Sequence, residues 1–101
     1  MRTIPARFTL MGHEITVEWS DDLLERRNAW GECVFHEHTI YLQKARRDLK
    51  VTPSHLMGVF WHEYFHMALY CLGHTELCMN EELVDQLGNS IHQFMKTKSN
   101  K

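Results

Sequence analysis

The run His62-Glu63-Tyr64-Phe65-His66 holds the side chains of this sequence best suited to chemistry. Two histidines four positions apart on a helix return to nearly the same face, because each residue turns the helix by about 100°. Imidazoles placed in this way can each offer a nitrogen to one ion at about 2.0–2.1 Å, the distance that zinc prefers. The spacing therefore predicts that His62 and His66 bind one zinc ion.

Glu63 follows the first of these histidines on the same predicted helix. It points about 100° away from His62 around the helix axis, so its carboxylate should lie beside the ion and not on it. In that place it could take a proton from a zinc-bound water, which makes Glu63 the predicted general base. The alternative, two helical histidines without a metal, is disfavoured because unpaired imidazoles among apolar neighbours would be costly to bury.

A catalytic zinc site also needs a third protein ligand and one open position. Glu81 is the leading candidate, because Asp85 follows it on the same face of a later predicted helix. Asp85 could then accept the N–H of a ligating histidine and fix its tautomer. Two alternatives for the third ligand stay open: Glu82 would require a rotated helix, and His74 would require the chain to fold back.

Two pairs of short strands are predicted in the first half of the chain. Apolar and polar residues alternate over residues 8–19 on both sides of Gly12-His13, which is typical of a hairpin. A second pair comprises Cys33–Phe35 and Thr39–Leu42. Between the pairs, Ser20-Asp21-Asp22 can cap a short helical turn.

Two helices are predicted in the second half of the chain. Thr52 is a good N-cap, Pro53 suits the first helical position and Gly73 supplies a C-terminal stop, so the metal-binding helix runs for about five turns between them. Asn80 can cap the final helix. Glu81 then lies in its first turn, where the helix dipole favours a carboxylate.

Length and composition are those of one small globular domain. The chain has 101 residues, of which 44% are hydrophobic and 24% charged, so a single domain over residues 1–101 is expected. Strands followed by helices predict an α+β fold: a small antiparallel or mixed sheet, then the metal-binding helix and a C-terminal helix. In so short a chain a bound metal would contribute usefully to stability.

Charge and hydropathy disfavour nucleic-acid and membrane partners. A formal net charge of -2 gives no basic field, and the local cluster of Lys44, Arg46, Arg47 and Lys50 is best interpreted as a solvated face. No stretch approaches the roughly 18 apolar residues that span a membrane, and the first residues lack the apolar run of a signal peptide. An odd count of three cysteines predicts free thiols in a reducing, cytoplasmic setting.

The run 62–66 followed by Asn80-Glu81-Glu82-Leu83-Val84-Asp85 resembles the gluzincin branch of the zincin metallopeptidases. The resemblance implies that His62, His66 and Glu81 are zinc ligands. It also implies that Glu63 is the general base and that Asp85 is the hydrogen-bond partner of His62. The layout is also similar to very small predicted metallopeptidases of phage and prophage genomes. For a phage protein, that similarity implies the cytoplasm of the host.

This resemblance implies zinc-dependent hydrolysis of peptide bonds. In zincins an edge strand beside the metal helix holds the peptide substrate as an extended strand, and we expect the Thr39–Leu42 run to be that edge. The gap between His66 and Glu81 is shorter than in large gluzincins. The His or Tyr that steadies the oxyanion in gluzincins has no clear counterpart, and His74 and His92 are the candidates.

Two other functions stay open at this point. One is a non-catalytic binding module that a zinc ion stabilises. The other is a DNA-associated protease of the zincin type, in which His74 would be the third ligand. The identity of the third ligand and the presence of an open coordination position distinguish these alternatives.

Overall fold

The computed structural model of this chain describes residues 3–100. Its helices and strands follow one another in this order: β1 (Arg7–Leu10), β2 (His13–Ser20), α1 (Leu23–Arg27), β3 (Gly31–Val34), a first 3-10 turn (Phe35–Glu37), β4 (Thr39–Gln43), α2 (Pro53–Cys71), a second 3-10 turn (Leu77–Met79) and α3 (Glu81–Thr97). The predicted α+β fold, a small mixed sheet followed by two helices, is confirmed.

The four strands form one mixed sheet in the order β1-β2-β4-β3. Both predicted strand pairs are antiparallel, β1 with β2 and β3 with β4. A parallel pairing of β2 with β4 joins them and places Val17 beside Ile40. Because β4 has a neighbour on each side, the expectation that Thr39–Leu42 is a sheet edge is wrong. Both faces of β4 are covered, as in a central strand, and β1 and β3 form the two edges of the sheet.

The hydrophobic core lies between the sheet and α2. Its buried members alternate along β2 and β4, so that one face of the sheet supplies them, and α2 supplies the rest. They are Ile15, Val17, Ile40, Leu42, Phe60 and Met67. This packing fixes α2 against the sheet, and with it the helix face that carries the histidines.

The ends of α2 lie where the sequence predicts them. Thr52 Oγ1 accepts a hydrogen bond from the His55 backbone amide at 3.0 Å, and Pro53 begins the helix. Gly73 follows the end with a φ of 89°, a left-handed conformation that favours glycine. Leu72 lies just past the last helical residue and is 50% exposed.

α3 crosses close to α2 at Gly88. A Cβ built on Gly88 would lie 3.2 Å from both the Cα and the backbone nitrogen of His62, so a larger residue would push the helices apart. The absence of a side chain on Gly88 permits this close approach. The Asn80 side chain caps α3 by accepting a backbone hydrogen bond at 3.0 Å. The cap and the crossing place Glu81 and Asp85 over the histidine face of α2.

The basic stretch of residues 44–50 is partly paired with acidic side chains. Arg46 is paired with Glu25 at 2.7 Å and with Asp48 at 3.1 Å, so part of the positive cluster is neutralised locally. Within residues 3–100, no helix is both long and apolar enough to cross a membrane. Cys33, Cys71 and Cys78 are free thiols, as predicted.

Candidate metal centre

His62, His66 and Glu81 come together where α3 crosses α2. The atoms that could bind an ion lie within 4.8 Å of one another. Glu81 Oε1 is 3.1 Å from His62 Nε2, Glu81 Oε2 is 3.2 Å from His66 Nε2, and the two Nε2 atoms are 3.2 Å apart. Three side chains of the types that bind zinc in proteins therefore share one small space.

Each imidazole ring contacts an oxygen atom through Nδ1, while its Nε2 faces Glu81. His66 Nδ1 contacts the backbone carbonyl oxygen of Cys78, and His62 Nδ1 lies 3.3 Å from Asp85 Oδ1. A carbonyl and a carboxylate accept hydrogen bonds and donate none, so these contacts favour the tautomer with the proton on Nδ1, in which Nε2 can offer its lone pair to a cation. Both Nε2 atoms face Glu81, and histidines that bind a metal through Nε2 are commonly supported at Nδ1 in this way.

This set of donor atoms fits a divalent cation. Two nitrogen lone pairs and a carboxylate at these distances repel one another unless a proton or a cation lies between them. Two histidines and one glutamate also form the protein ligand set of one class of catalytic zinc site. Among residues 3–100, this is the one group of three or more His, Cys, Asp and Glu side chains that could hold a metal ion.

The centre is buried on its histidine side and open on its glutamate side. His66 is 7% exposed, whereas the Glu81 side chain is 69% exposed. The described residues offer no fourth His, Cys, Asp or Glu ligand to this group. An ion held here would therefore keep a coordination position accessible from solvent, as catalytic sites do.

Glu63 is buried beside the centre. It is 8% exposed and lines the same cleft as the three candidate ligands. Burial raises the pKa of its carboxyl group to about 7, and the nearby His66 opposes that rise. A carboxyl group with a pKa near neutrality can both accept and return a proton at physiological pH.

β3 packs directly against Glu63, a contact that the sequence analysis missed. A Cβ built on Gly31 would lie 2.8 Å from Glu63 Cγ and 3.0 Å from its Oε2, so any side chain there would collide with the carboxyl group. The Cys33 thiol donates a hydrogen bond to the Glu63 backbone carbonyl at 3.0 Å. The one signal available in the sequence was a glycine beside a strand, which often marks the close approach of another group.

An open cleft of about 700 Å³ contains the centre. Along α2, its lining residues Ser54, Gly58, His62 and His66 recur every fourth position, so the cleft follows one face of the helix. The twelve residue-to-residue steps from Ser54 to His66 correspond to about 18 Å of helix. The candidate ligands lie at one end of this length.

The outer edge of β3 opens on the cleft. The Gln43 backbone amide donates to the Trp30 carbonyl at 2.8 Å, so Trp30 and every second residue after it turn their backbone groups towards β4. The backbone groups of Gly31 and Cys33 consequently point away from β4, and both residues line the cleft. An open strand edge therefore lies beside the candidate metal centre.

The two histidines considered for other roles lie in different places. His74 is exposed in the turn after α2 and does not belong to the three-residue group. His92 lines the cleft from α3, and its Nε2 atom lies 3.4 Å from Ser54 Oγ. Of the two, His92 is the one that lines the cleft.

No known protein family, curated protein or solved structure matches this chain. The candidate metal centre therefore rests on His62, His66 and Glu81 and on their arrangement in space.

Proposed function

We propose that this chain is a zinc-dependent metallopeptidase of the gluzincin type. The observation that carries the proposal is a three-residue ligand group, His62, His66 and Glu81, next to the buried carboxyl group of Glu63 in an open cleft. Structural zinc sites are closed by four protein ligands, whereas catalytic sites have three and an open position. Residues 3–100 supply three.

A zinc ion in this group would supply Lewis acidity, which polarises a scissile carbonyl and makes water nucleophilic near neutral pH. Glu63 removes a proton from the attacking water and delivers it to the nitrogen of the leaving amine. In the metal-free chain, burial raises the pKa of this carboxyl group to about 7. Asp85 and the Cys78 carbonyl keep the two histidines in the tautomer that leaves Nε2 free.

The open edge of β3 suits a peptide substrate in extended conformation. Main-chain pairing with an exposed strand edge is a common mode of peptide recognition. A cleft of about 18 Å along α2 would accommodate roughly five extended residues at about 3.3 Å each. Recognition in this manner depends on the peptide backbone more than on any single side chain.

Glu63→Gln separates metal binding from catalysis. The substitution removes the proton acceptor and leaves the three ligands in place, so we expect wild-type zinc content and a loss of peptide hydrolysis of about 10²- to 10⁴-fold. Glu82→Gln is the matched control, because it neutralises a carboxylate of α3 that is outside the ligand group. Undiminished hydrolysis by the Glu63→Gln variant would rule out Glu63 as the base.

A non-catalytic, zinc-stabilised binding module is the second candidate. It is favoured by the position of the centre, because an ion shared by Glu81 of α3 and two histidines of α2 would tie the helices together. This alternative predicts that zinc stabilises the fold while neither the wild type nor Glu63→Gln cleaves any peptide. The DNA-associated protease with His74 as third ligand has less support, since His74 lies outside the group.

A further inference from the structure

Trp30 and His55 form an aromatic pair in the cleft, at the end away from the candidate metal centre. Their ring centroids lie 5.0 Å apart with the planes at 83°, an edge-to-face contact. Trp30 immediately precedes β3 and His55 belongs to the first turn of α2, so the pair joins the two elements between which the cleft lies. Trp30 is half-buried and lines the cleft, so part of its ring is accessible to a bound molecule.

The backbone on both sides of this pair is fixed. The Trp30 carbonyl oxygen accepts a hydrogen bond from β4 at 2.8 Å, and the His55 amide donates one to Thr52 Oγ1 at 3.0 Å. Ala29 and Gly58 line the same part of the cleft and have little or no side chain. A ring could therefore enter beside Trp30 without displacing a large residue.

The direction of β3 decides which part of a peptide would reach Trp30. β3 runs in the same direction as α2, because Trp30 at its start contacts His55, and Phe35 just after its end lies 6.5 Å from His66 by ring centroids. Antiparallel pairing is more stable per residue than parallel pairing. A peptide on the outer edge of β3 would then run from the Phe35 end towards Trp30. Trp30 would meet residues on the C-terminal side of the scissile bond.

The spacing along α2 gives the position of that residue. His55 precedes His62, the nearer candidate ligand, by seven residues, which correspond to about 10 Å of helix. An extended peptide covers this length in about three residues of about 3.3 Å each. The pair is therefore about three substrate residues away from the metal centre.

We infer that Trp30, held by His55, forms a subsite for an aromatic side chain on the third substrate residue C-terminal to the scissile bond. This inference rests on the proposed peptidase function and adds a substrate class to it. Aromatic rings favour edge-to-face and offset-stacked contacts, and one such pair changes affinity by about 2- to 10-fold beyond the effect of buried area. Trp30 already makes one contact of this kind with His55.

Two series of peptide hydroxamates test the subsite without requiring catalysis, because the hydroxamate group binds zinc and anchors the probe. In the first series a succinyl hydroxamate is joined to the amino end of an alanine followed by the variable residue, which then lies third on the C-terminal side. In the second series the hydroxamate is at the carboxyl end of an acetylated tripeptide, and the variable residue lies third on the N-terminal side. The variable residue is phenylalanine, cyclohexylalanine, arginine or alanine.

The chain is loaded with zinc, its metal content is verified, and it is titrated calorimetrically with each probe. In the first series we expect phenylalanine to bind at least about ten-fold more tightly than alanine, and about 2- to 10-fold more tightly than cyclohexylalanine, which has a similar shape but no aromatic ring. Equal binding of phenylalanine and cyclohexylalanine, or tighter binding of arginine, would overturn an aromatic subsite. A preference found only in the second series would overturn the inferred direction.

Substitutions assign the preference to Trp30. Trp30→Leu keeps an apolar side chain and should abolish the preference for phenylalanine over cyclohexylalanine. His55→Ala, at an exposed position, removes the edge contact that holds the Trp30 ring and should reduce the same preference. Trp19→Leu is the matched control, because Trp19 is 44% exposed on β2 and does not line the cleft. A preference that survives Trp30→Leu would overturn the subsite.

The same proteins separate this inference from the proposed function. A preference for phenylalanine that depends on Trp30, together with no cleavage of any peptide, would support the subsite and contradict the peptidase activity. Cleavage of peptides regardless of the third residue, together with equal binding of all first-series probes, would support the activity and overturn the subsite. A chain that takes up no zinc would overturn both.

Discussion

The two candidate histidine ligands differ in how firmly their rings are held. His66 is 7% exposed, and its Nδ1 atom contacts a backbone carbonyl, which no side-chain substitution removes. The His62 side chain is 25% exposed, and its Nδ1 atom relies on the carboxylate of Asp85. His62 is therefore the ligand whose orientation a single substitution can loosen.

Asp85→Ala should weaken zinc binding by about 10- to 100-fold, because it removes the group that fixes the tautomer and orientation of His62. Competition with a chelator of known zinc affinity measures the change. Gln86→Ala serves as control, since Gln86 is an exposed neighbour on α3 that does not line the cleft. Unchanged zinc affinity in Asp85→Ala would show that His62 needs no such support.

The carboxyl group of Glu63 links the stability of the metal-free chain to pH. Its pKa rises from an ordinary value of 4.5 to about 7 in the folded state, mainly because it is buried. Below pH 4.5 both states carry the proton, and this group costs no stability. Between pH 4.5 and 7 the folded state keeps a proton that the unfolded state has released, so stability falls as pH rises. Above that window, the stability that this group costs no longer changes with pH.

Glu63→Gln should remove this part of the pH dependence from the metal-free protein. Urea unfolding in the presence of a chelator, from about pH 4 to about pH 8, measures the free energy of unfolding of both proteins. As the pH rises through this window, the free energy of unfolding of the variant should increase relative to that of the wild type by about 1–3 kcal/mol. A difference between the two proteins that stays constant over this range would contradict the burial of an ionisable Glu63.

At the scale of the helices and strands, local signals placed the long helices well. The Thr52 and Asn80 side chains each accept a hydrogen bond from a backbone amide three residues on, so the cap residues alone mark where α2 and α3 begin. The order of the strands in the sheet depends on contacts between segments that are far apart in the sequence. The parallel pairing of β2 with β4 joins distant segments, and alternation of apolar residues does not encode it. The wrong assignment of Thr39–Leu42 to an edge follows from that.

The candidate site was readable from the sequence only in its helical part. Helix geometry alone decides that residues four apart share a face, so the pairs His62 with His66 and Glu81 with Asp85 could be predicted. The contact of Gly31 with Glu63 depends on where β3 lies against α2, which no short-range pattern reveals. The position of β3 as an edge beside the cleft escaped prediction for the same reason.

Alanine at two glycines should have opposite effects on stability. A Cβ at Gly31 would lie 2.8 Å from atoms of Glu63 and Val59, whereas a Cβ at Gly58 would lie no closer than 3.5 Å to His92. We expect Gly31→Ala to lower the free energy of unfolding by about 1–3 kcal/mol through overpacking. Gly58→Ala should raise it by about 0.5–1 kcal/mol, because Gly58 lies inside α2.

Chemical denaturation measures both changes. Gly31→Ala should also retain its zinc, because the collision involves Glu63 and not the ligands. A Gly31→Ala protein as stable as the wild type would mean that β3 does not press on the carboxyl group as described.

For the whole molecule, the centre connects parts of the chain that pack in different ways. α2 is fixed against the sheet by the core, whereas α3 rests on α2 at a crossing that Gly88 permits. An ion shared by Glu81 and the histidines of α2 would add a second attachment for α3. In a chain of 101 residues, with a modest core, binding to the folded state alone would give a useful gain in stability.

The most direct test of the proposed centre is an equilibrium zinc titration of the purified chain of 101 residues against a competing chelator. We predict one zinc ion per chain, and a loss of affinity of more than about 100-fold in Glu81→Ala, since removing a ligand should exceed the effect of removing its supporting group. Glu82→Ala, in the same turn of α3, should bind zinc as the wild type does. A chain that takes up no stoichiometric zinc, or whose affinity is unchanged by Glu81→Ala, would contradict the proposed centre.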